Sequence, residues 1–169
     1  MLNTYIAGQI YAKISFGATL SQKKVVEKLS EYLSSSDYSR IFVLNGYAGT
    51  GKTTLISALV AVLRETGVKS VLLAPTGRAA KVLTRYSGQQ AFTIHKRIYR
   101  QRTNADYESK YSLDMNKEQG SVFIVDEASM LSDSSGDGQI FGSGSLLEDL
   151  ITYVRKGRDC RLILVGDNA

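Results

Sequence analysis

The run Gly46-Tyr47-Ala48-Gly49-Thr50-Gly51-Lys52-Thr53 has the spacing G-x-x-x-x-G-K-[ST] of a loop that cradles phosphate. Its glycines let backbone N–H groups turn inward to face anionic oxygens. The N-terminus of a following helix would add about half a positive charge. In that arrangement Lys52 reaches the β- and γ-phosphates, and the Thr53 hydroxyl ligates Mg²⁺. A second group of chemical residues closes the apolar run Val122-Phe123-Ile124-Val125, which ends in Asp126 and Glu127. A carboxylate at the C-terminal edge of a buried strand stands where a phosphate-bound Mg²⁺ must be held. Asp126, which ends the run, takes the metal role, and Glu127 is placed to polarise an attacking water as general base. Asp167 ends another apolar run in the same way and is positioned to sense the γ-phosphate. A phosphate loop combined with an Asp-Glu pair reads as a hydrolase more than a phosphotransferase.

These residues need a scaffold, and the chain supplies one. Ile41–Leu44, Val71–Ala74, Val122–Val125 and Leu162–Val165 are short apolar runs without polar alternation, as expected of parallel strands covered on both faces. Between them lie helical patterns. Ser21–Leu33 carries apolar residues on one face, whereas Thr53–Glu65 is apolar nearly all round and is expected to be central, with Gly67 as its stop. Arg78–Tyr86 reads as a shorter basic helix and Leu146–Val154 as one of mixed face. Strands alternating with helices imply right-handed crossovers and a three-layer α/β domain with a mainly parallel sheet. Gln101–Gly120 is polar and tyrosine-rich, a loop or a small hairpin. Ser132–Ser145 contains four Gly and five Ser and is expected to be a mobile surface loop.

At 169 residues the chain is about one domain in length, with an ordinary globular composition of 43% hydrophobic and 22% charged residues. The longest nearly unbroken apolar run, Leu55–Leu63, falls well short of the ~18 residues of a membrane span. The first basic residue is Lys13, and Gln9 breaks the apolar stretch before it, which argues against a signal peptide. Cys160 and His95 are single representatives of their types, so an internal disulfide and a Cys-based zinc site are excluded. A cytoplasmic setting is the simplest expectation, and nothing implies a membrane or an oligomer.

The net charge of +5 is concentrated. Between Arg78 and Lys110, about a fifth of the chain, eight basic residues face only Asp106 and Glu108. Tyr86, Phe92, Tyr99, Tyr107 and Tyr111 are interleaved among them. Cations mixed with aromatic rings suit single-stranded nucleic acid, whose bases stack while its phosphates are neutralised. The alternative is a solvated segment whose aromatics pack on the body of the protein.

In order along the chain, Gly46–Thr54, Ala74-Pro75-Thr76-Gly77-Arg78-Ala79-Ala80, Thr93-Ile94-His95, Asp126-Glu127-Ala128-Ser129-Met130 and Gly166-Asp167 resemble the motifs of superfamily one DNA helicases. The match is to the RecD-like and Dda-like branch, which moves 5′ to 3′ on single-stranded DNA. The resemblance runs from about Leu20 to the end. It implies a P-loop NTPase of RecA-like fold, with residues 20–169 as the first motor domain and residues 1–19 as an N-terminal extension. It implies ATP and Mg²⁺ as cofactors. The ATP site would comprise Gln22, Gly46, Ala48, Gly49, Thr50, Gly51, Lys52, Thr53, Thr54 and Asp167, with Gln22 reading adenine. Lys52 and Glu127 keep catalytic roles, and Thr53 and Asp126 hold the metal. Thr76, Arg78, Thr93 and His95 are implied to contact DNA. Plainer roles compete at each added position: Gln22 as a solvated first-turn residue, Thr76 as a helix cap, Arg78 as a surface charge and His95 as a packed structural ring.

The family's third motif continues with a glutamine beyond Gly166-Asp167, where this chain reaches Ala169. The second motor domain and its arginine finger are not in the sequence. The expectation is therefore a piece of a longer protein that binds nucleotide but is nearly inactive alone. A finger is worth 10³–10⁵ in rate. Two other readings of the parent stay open: a DNA-dependent ATPase that remodels or senses nucleic acid without unwinding, and a non-catalytic nucleotide-binding module.

Overall fold

The computed structural model describes residues 2–14, 17–103, 109–131 and 141–167. Five parallel strands form the sheet in the order β1-β7-β6-β2-β3, where β1 is Ile41–Gly46, β2 Ser70–Ala74, β3 Ala91–Thr93, β6 Val122–Val125 and β7 Arg161–Asp167. Separately, β4 (Tyr99–Thr103) and β5 (Ser109–Leu113) pair as an antiparallel hairpin. Six α-helices are described: α1 Leu2–Lys13, α2 Leu20–Ser34, α3 Lys52–Glu65, α4 Gly77–Ser87, α5 Ile94–Ile98 and α6 Leu146–Lys156.

The apolar runs serve two cores because strand side chains alternate. Leu72, Ala74, Val122, Ile124, Ile163 and Val165 face one side, with α1, α2, α3 and α4. Val71, Leu73, Phe123, Val125, Leu162 and Leu164 face the other, with α5 and α6. This is the expected three-layer α/β arrangement. All four expected strands are present, with β1 and β7 running two residues further, to Gly46 and Asp167. The all-round apolar helix is α3, which buries Leu55, Ile56, Ala58, Leu59, Val60, Val62 and Leu63. Gly67, at φ +74°, follows its end as expected.

The sequence reading does not contain α1, β3 or α5, and it leaves one alternative that the structure resolves. Residues 2–13 are a helix seated on the domain, with Ile10 fully buried and Lys13 paired with Glu65 of α3. No stripe announces it, because its apolar residues are spread around the helix. The edge strand β3 is only three residues long and leaves no pattern. Of the two options for Gln101–Gly120, the structure has the hairpin, with Tyr99 opposite Leu113 and Gln101 opposite Tyr111. Most of the glycine- and serine-rich stretch, residues 132–140, lies outside the described residues, as does Tyr107.

Candidate functional site

The parallel sheet brings the chemical residues to one edge, because every strand ends on the same side. β7 lies between β1 and β6, and Gly46 of β1 is in register with Asp167. The phosphate loop, Asp167 and Asp126 therefore follow one another along the C-terminal edge.

Within the loop, Thr50 N–H and Oγ1 both donate to the Tyr47 carbonyl, at 3.3 and 2.8 Å, closing a tight turn. Gly49 and Gly51 adopt φ +79° and +85°, a left-handed conformation that costs any L side chain about 1–2 kcal/mol. A Cβ at Gly51 would also lie 2.3 Å from Gln22 Nε2. Lys52 is the second-last residue of the motif and the first of α3. Its Nζ donates to the Gly46 and Tyr47 carbonyls, each at 2.7 Å, and pairs with Asp167 Oδ1 at 2.7 Å. Those contacts use all three ammonium donors. Thr53 and Thr54 follow on the exposed start of α3.

Gln22 occupies the third position of α2 and completes a capping box with Thr19. Thr19 Oγ1 accepts from Gln22 N–H at 3.2 Å, and Gln22 Oε1 accepts from Thr19 N–H at 3.0 Å. Its amide nitrogen reaches across to the Thr50 carbonyl at 3.3 Å. The structure thus joins Gln22 directly to the phosphate loop.

Asp126 is held by several bonds. Its N–H donates to the Leu73 carbonyl at 3.0 Å, Oδ1 accepts from Glu127 N–H at 2.9 Å, and Oδ2 accepts from the Tyr86 hydroxyl at 2.5 Å. Burial first, then the Asp126 hydrogen bond and the charges of Asp126 and Glu127, push the Tyr86 phenol far above its usual range, so it is always a donor. Glu127 has φ +54°, a left-handed backbone in a residue with a side chain, and opens the 3₁₀ turn Ala128–Met130. Such strain concentrates at functional sites. The turn packs on Gly166, where a Cβ would stand 3.1 Å from the Ser129 nitrogen, and Ser129 Oγ accepts from Asp167 N–H at 3.4 Å.

The donor set fits a phosphate-bound Mg²⁺. It is all oxygen, a hydroxyl on Thr53 and a carboxylate on Asp126, and such sites use one or two carboxylates together with phosphate oxygens. The loop's left-handed glycines fit the phosphate side.

A second surface lies at the β2–β3 end of the same edge. Thr76 caps α4, accepting from Ala79 N–H at 3.2 Å, and Thr93 caps α5, accepting from Lys96 N–H at 3.3 Å. Ala74 is in register with Thr93, so the two caps are neighbours. Between α4 and β3 lies a shallow groove of about 360 Å³, lined among others by Gly77, Lys81, Phe92, Thr93 and Lys96. Arg78, Lys81, Arg85 and Lys96 are exposed and make no ion pair among the described residues. By contrast, Arg97 pairs with Glu118, and Arg100 stands 4.0 Å from Asp114. Among the described residues the unpaired cations of this segment are therefore Arg78, Lys81 and Arg85 on α4, Lys96 on α5 and Arg102 on β4.

The interleaved aromatics need a correction. Tyr86 turns inward to Asp126, Tyr99 is buried and donates to Asp149 Oδ2 at 2.6 Å, and Tyr111 stacks on Phe141 with centroids 4.5 Å apart. Among the described members of that set, Phe92 alone is exposed. His95 packs edge-on to Phe141 at 5.0 Å and tilted on Tyr99 at 5.7 Å. Burial draws its imidazole below the usual range, so at neutral pH it offers a hydrogen bond and no charge. Lys81, Phe92 and Lys96 were legible only as members of a basic, aromatic segment. Tyr86 as a partner of Asp126 left no signal in the sequence at all.

Fold and site together define a P-loop nucleoside-triphosphate-binding domain. Residues 19–169 match the AAA domain family, and the chain belongs to it. The chain is 40% identical over 130 residues to the ATP-dependent DNA helicase dda of Enterobacteria phage T4, covering 74% of this chain and 26% of that protein. It is 30% identical over 151 residues to the ATP-dependent RecD2 DNA helicase of Deinococcus radiodurans, covering 87% of this chain and 18% of that protein. The chain thus spans about a quarter or less of the length of these relatives. The similarity to the RecD-like and Dda-like branch seen in the motifs extends across the domain, which is an ATP-binding motor domain of the helicase type. No helix among the described residues is long and apolar enough to cross a membrane.

Proposed function

We propose that this chain is the first motor domain of an ATP-dependent DNA helicase, binding ATP with Mg²⁺ at the phosphate loop and single-stranded DNA across the groove between α4 and β3. One observation carries the reading. A single sheet edge holds the phosphate loop after β1, the Asp126 carboxylate after β6, and the capped helices with their unpaired cations after β2 and β3.

In this reading Lys52 exchanges its loop carbonyls and Asp167 for phosphate oxygens. Gln22, already bonded to Thr50, is the adenine contact. Thr53 and Asp126 hold Mg²⁺, which would offset the charge that develops on the phosphates. Glu127 orients the attacking water. Thr76, Thr93 and the cations Arg78, Lys81 and Lys96 take DNA phosphates, Phe92 stacks a base, and His95 adds a hydrogen bond. Phosphate contacts carry no sequence information, so binding should be indifferent to sequence and sensitive to salt.

In the parent protein, closure of a second motor domain over the nucleotide and its reopening after hydrolysis would alternate the DNA contacts and move the strand, separating a duplex. Without that domain's arginine finger the chain hydrolyses ATP barely. A cytoplasmic setting suits its one cysteine, the buried thiol of Cys160.

The test is equilibrium binding of a labelled single-stranded oligonucleotide at several salt concentrations, with and without Mg²⁺ and a non-hydrolysable ATP analogue. A matched duplex serves as competitor. Salt-dependent binding that prefers single strands and weakens on Arg78→Ala supports the reading. Nucleotide binding by a folded chain, with no oligonucleotide bound by either the chain or its full-length parent, refutes it.

A further inference from the structure

Tyr86 lies in the last turn of α4, the helix whose first turn carries Thr76 and Arg78. Its side chain is half-buried against the core formed with α3. The hydroxyl donates to Asp126 Oδ2 at 2.5 Å, while the backbone carbonyl of the same residue accepts from Ser57 Oγ of α3 at 2.8 Å. One residue therefore ties the C-terminal turn of α4 to the carboxylate after β6 and to the helix that begins with Lys52 and Thr53.

The Asp126 carboxylate has two oxygens, and the protein uses both. Oδ1 is held by the next residue's N–H at 2.9 Å, a local bond that travels with the Asp126 backbone. Oδ2 is held from a different element, forty residues earlier in the chain. Rotation of the carboxylate about its terminal torsion, which is broad and weakly two-fold, is thereby limited by a tyrosine that does not itself ligate metal. A partner of this kind orients a metal-binding carboxylate and tunes how strongly it binds.

We propose that Tyr86 is a positioning residue for Asp126, holding the carboxylate in the orientation that binds Mg²⁺, and that α4 thereby couples the nucleic-acid groove at its N-terminal end to the metal site at its C-terminal end. This rests on the reading of Asp126 as a metal carboxylate and of the α4 N-terminus as a DNA contact. A shift of α4 when a phosphate binds near Thr76 is passed to Asp126 through the phenol. The hydrogen bond needs a donor at the ring's para position, so phenylalanine removes the coupling while keeping the packing.

The experiment separates phosphate binding from metal binding. A fluorescent ATP analogue is titrated into the chain, first with EDTA and then over a range of Mg²⁺ concentrations, for the parent sequence, Tyr86→Phe and Asp126→Asn. Binding with EDTA reads the phosphate loop and should agree within about twofold between Tyr86→Phe and the parent sequence, which also shows that the variant is folded. The Mg²⁺-dependent gain in affinity reads Asp126. It should fall roughly tenfold in Tyr86→Phe, in line with other residues that orient metal ligands, and vanish in Asp126→Asn. Adding a single-stranded oligonucleotide should change the Mg²⁺-dependent affinity of the parent sequence and not that of Tyr86→Phe.

If Asp126→Asn abolishes the Mg²⁺ gain but Tyr86→Phe retains it in full, Tyr86 has no positioning role and the proposal is overturned alone. If Asp126→Asn also retains the gain, the metal assignment itself fails and takes the proposal with it. An oligonucleotide response that survives in Tyr86→Phe overturns the coupling half.

Discussion

Lys52 Nζ stands 2.7 Å from Asp167 Oδ1, joining the phosphate loop to the last residue of the neighbouring strand. The lysine is largely enclosed, with 14% of its side chain exposed against 58% for the aspartate, so the carboxylate can swing into solvent when the ammonium turns to phosphate. In the proposed site Asp167 would act on a γ-phosphate through the lysine both would share, since a carboxylate and a phosphate repel each other directly. Lys52→Ala should weaken binding of a fluorescent ATP analogue at least tenfold, because a charge-assisted hydrogen bond is worth about 1.5–3 kcal/mol. Asp167→Asn should instead tighten binding by a few-fold, having removed both a competitor for the lysine and a like charge. Equal weakening in the two variants would contradict this account.

Gln22 serves two elements at once, the Thr19 cap and the Thr50 carbonyl. Replacing it with Ala removes the reciprocal half of the capping box and the link to the loop. Thermal unfolding should show a loss of about 0.5–1 kcal/mol, the lower part of the range for helix caps. The preference for adenine over guanine nucleotides should disappear in a competition titration. Retained adenine preference would show that Gln22 is structural only.

The unpaired cations of α4 and α5 should set the salt dependence of oligonucleotide binding. Each of Arg78→Ala, Lys81→Ala and Lys96→Ala is expected to flatten the slope of log K against log salt by about 0.7, the value for one phosphate on a single strand. Arg97→Ala should leave the slope unchanged, because Arg97 is already paired with Glu118. Phe92→Ala should cost about 1–3 kcal/mol of single-strand affinity at every salt concentration. An unchanged slope in all three lysine and arginine variants would move the DNA surface elsewhere.

Glu118 is the hub of the structural charges, bonded to Lys69, Arg97 and Ser121. Burial alone would raise its carboxyl. The Lys69 and Ser121 hydrogen bonds and the charges of Lys69 and Arg97 outweigh it and hold the group below its ordinary value of 4.5. A depressed carboxylate binds fewer protons folded than unfolded, so its stabilisation is complete above the unfolded value. It is lost as the pH falls through the folded one. Glu118→Gln should therefore lower stability by about 1–3 kcal/mol at neutral pH and flatten the acid limb of a denaturation profile between roughly pH 5 and 3. A variant with the same acid limb as the parent sequence would assign that limb to other carboxylates.

Much of the nucleotide site was legible because it depends on local sequence. The loop needs glycines where φ is positive, a lysine and a threonine next to them, and a helix start, all within eight residues. Four apolar runs without alternation announced a sheet covered on both faces, and each became a strand. The interleaved aromatics show where such reasoning stops. Tyr86, Tyr99, Phe92 and Tyr111 look alike along the chain, yet three pack on the protein and one is exposed. Which of them faces solvent depends on partners distant in sequence: Asp126, Asp149 and Phe141.

Sequence alone determined the phosphate loop, the carboxylates that end strands, the α/β class and the location of the basic excess, since each follows from residue type and spacing over a few positions. Tertiary structure alone decided which residues meet. It placed β7 between β1 and β6 and so brought Asp167 to Lys52. It turned Tyr86 to Asp126 and joined Gln22 to Thr50. It also neutralised Arg97 while leaving Arg78, Lys81 and Lys96 free. The reason is physical: strand order and helix packing bring together groups far apart in the chain, and their pairing depends on burial and geometry that no short window of sequence contains.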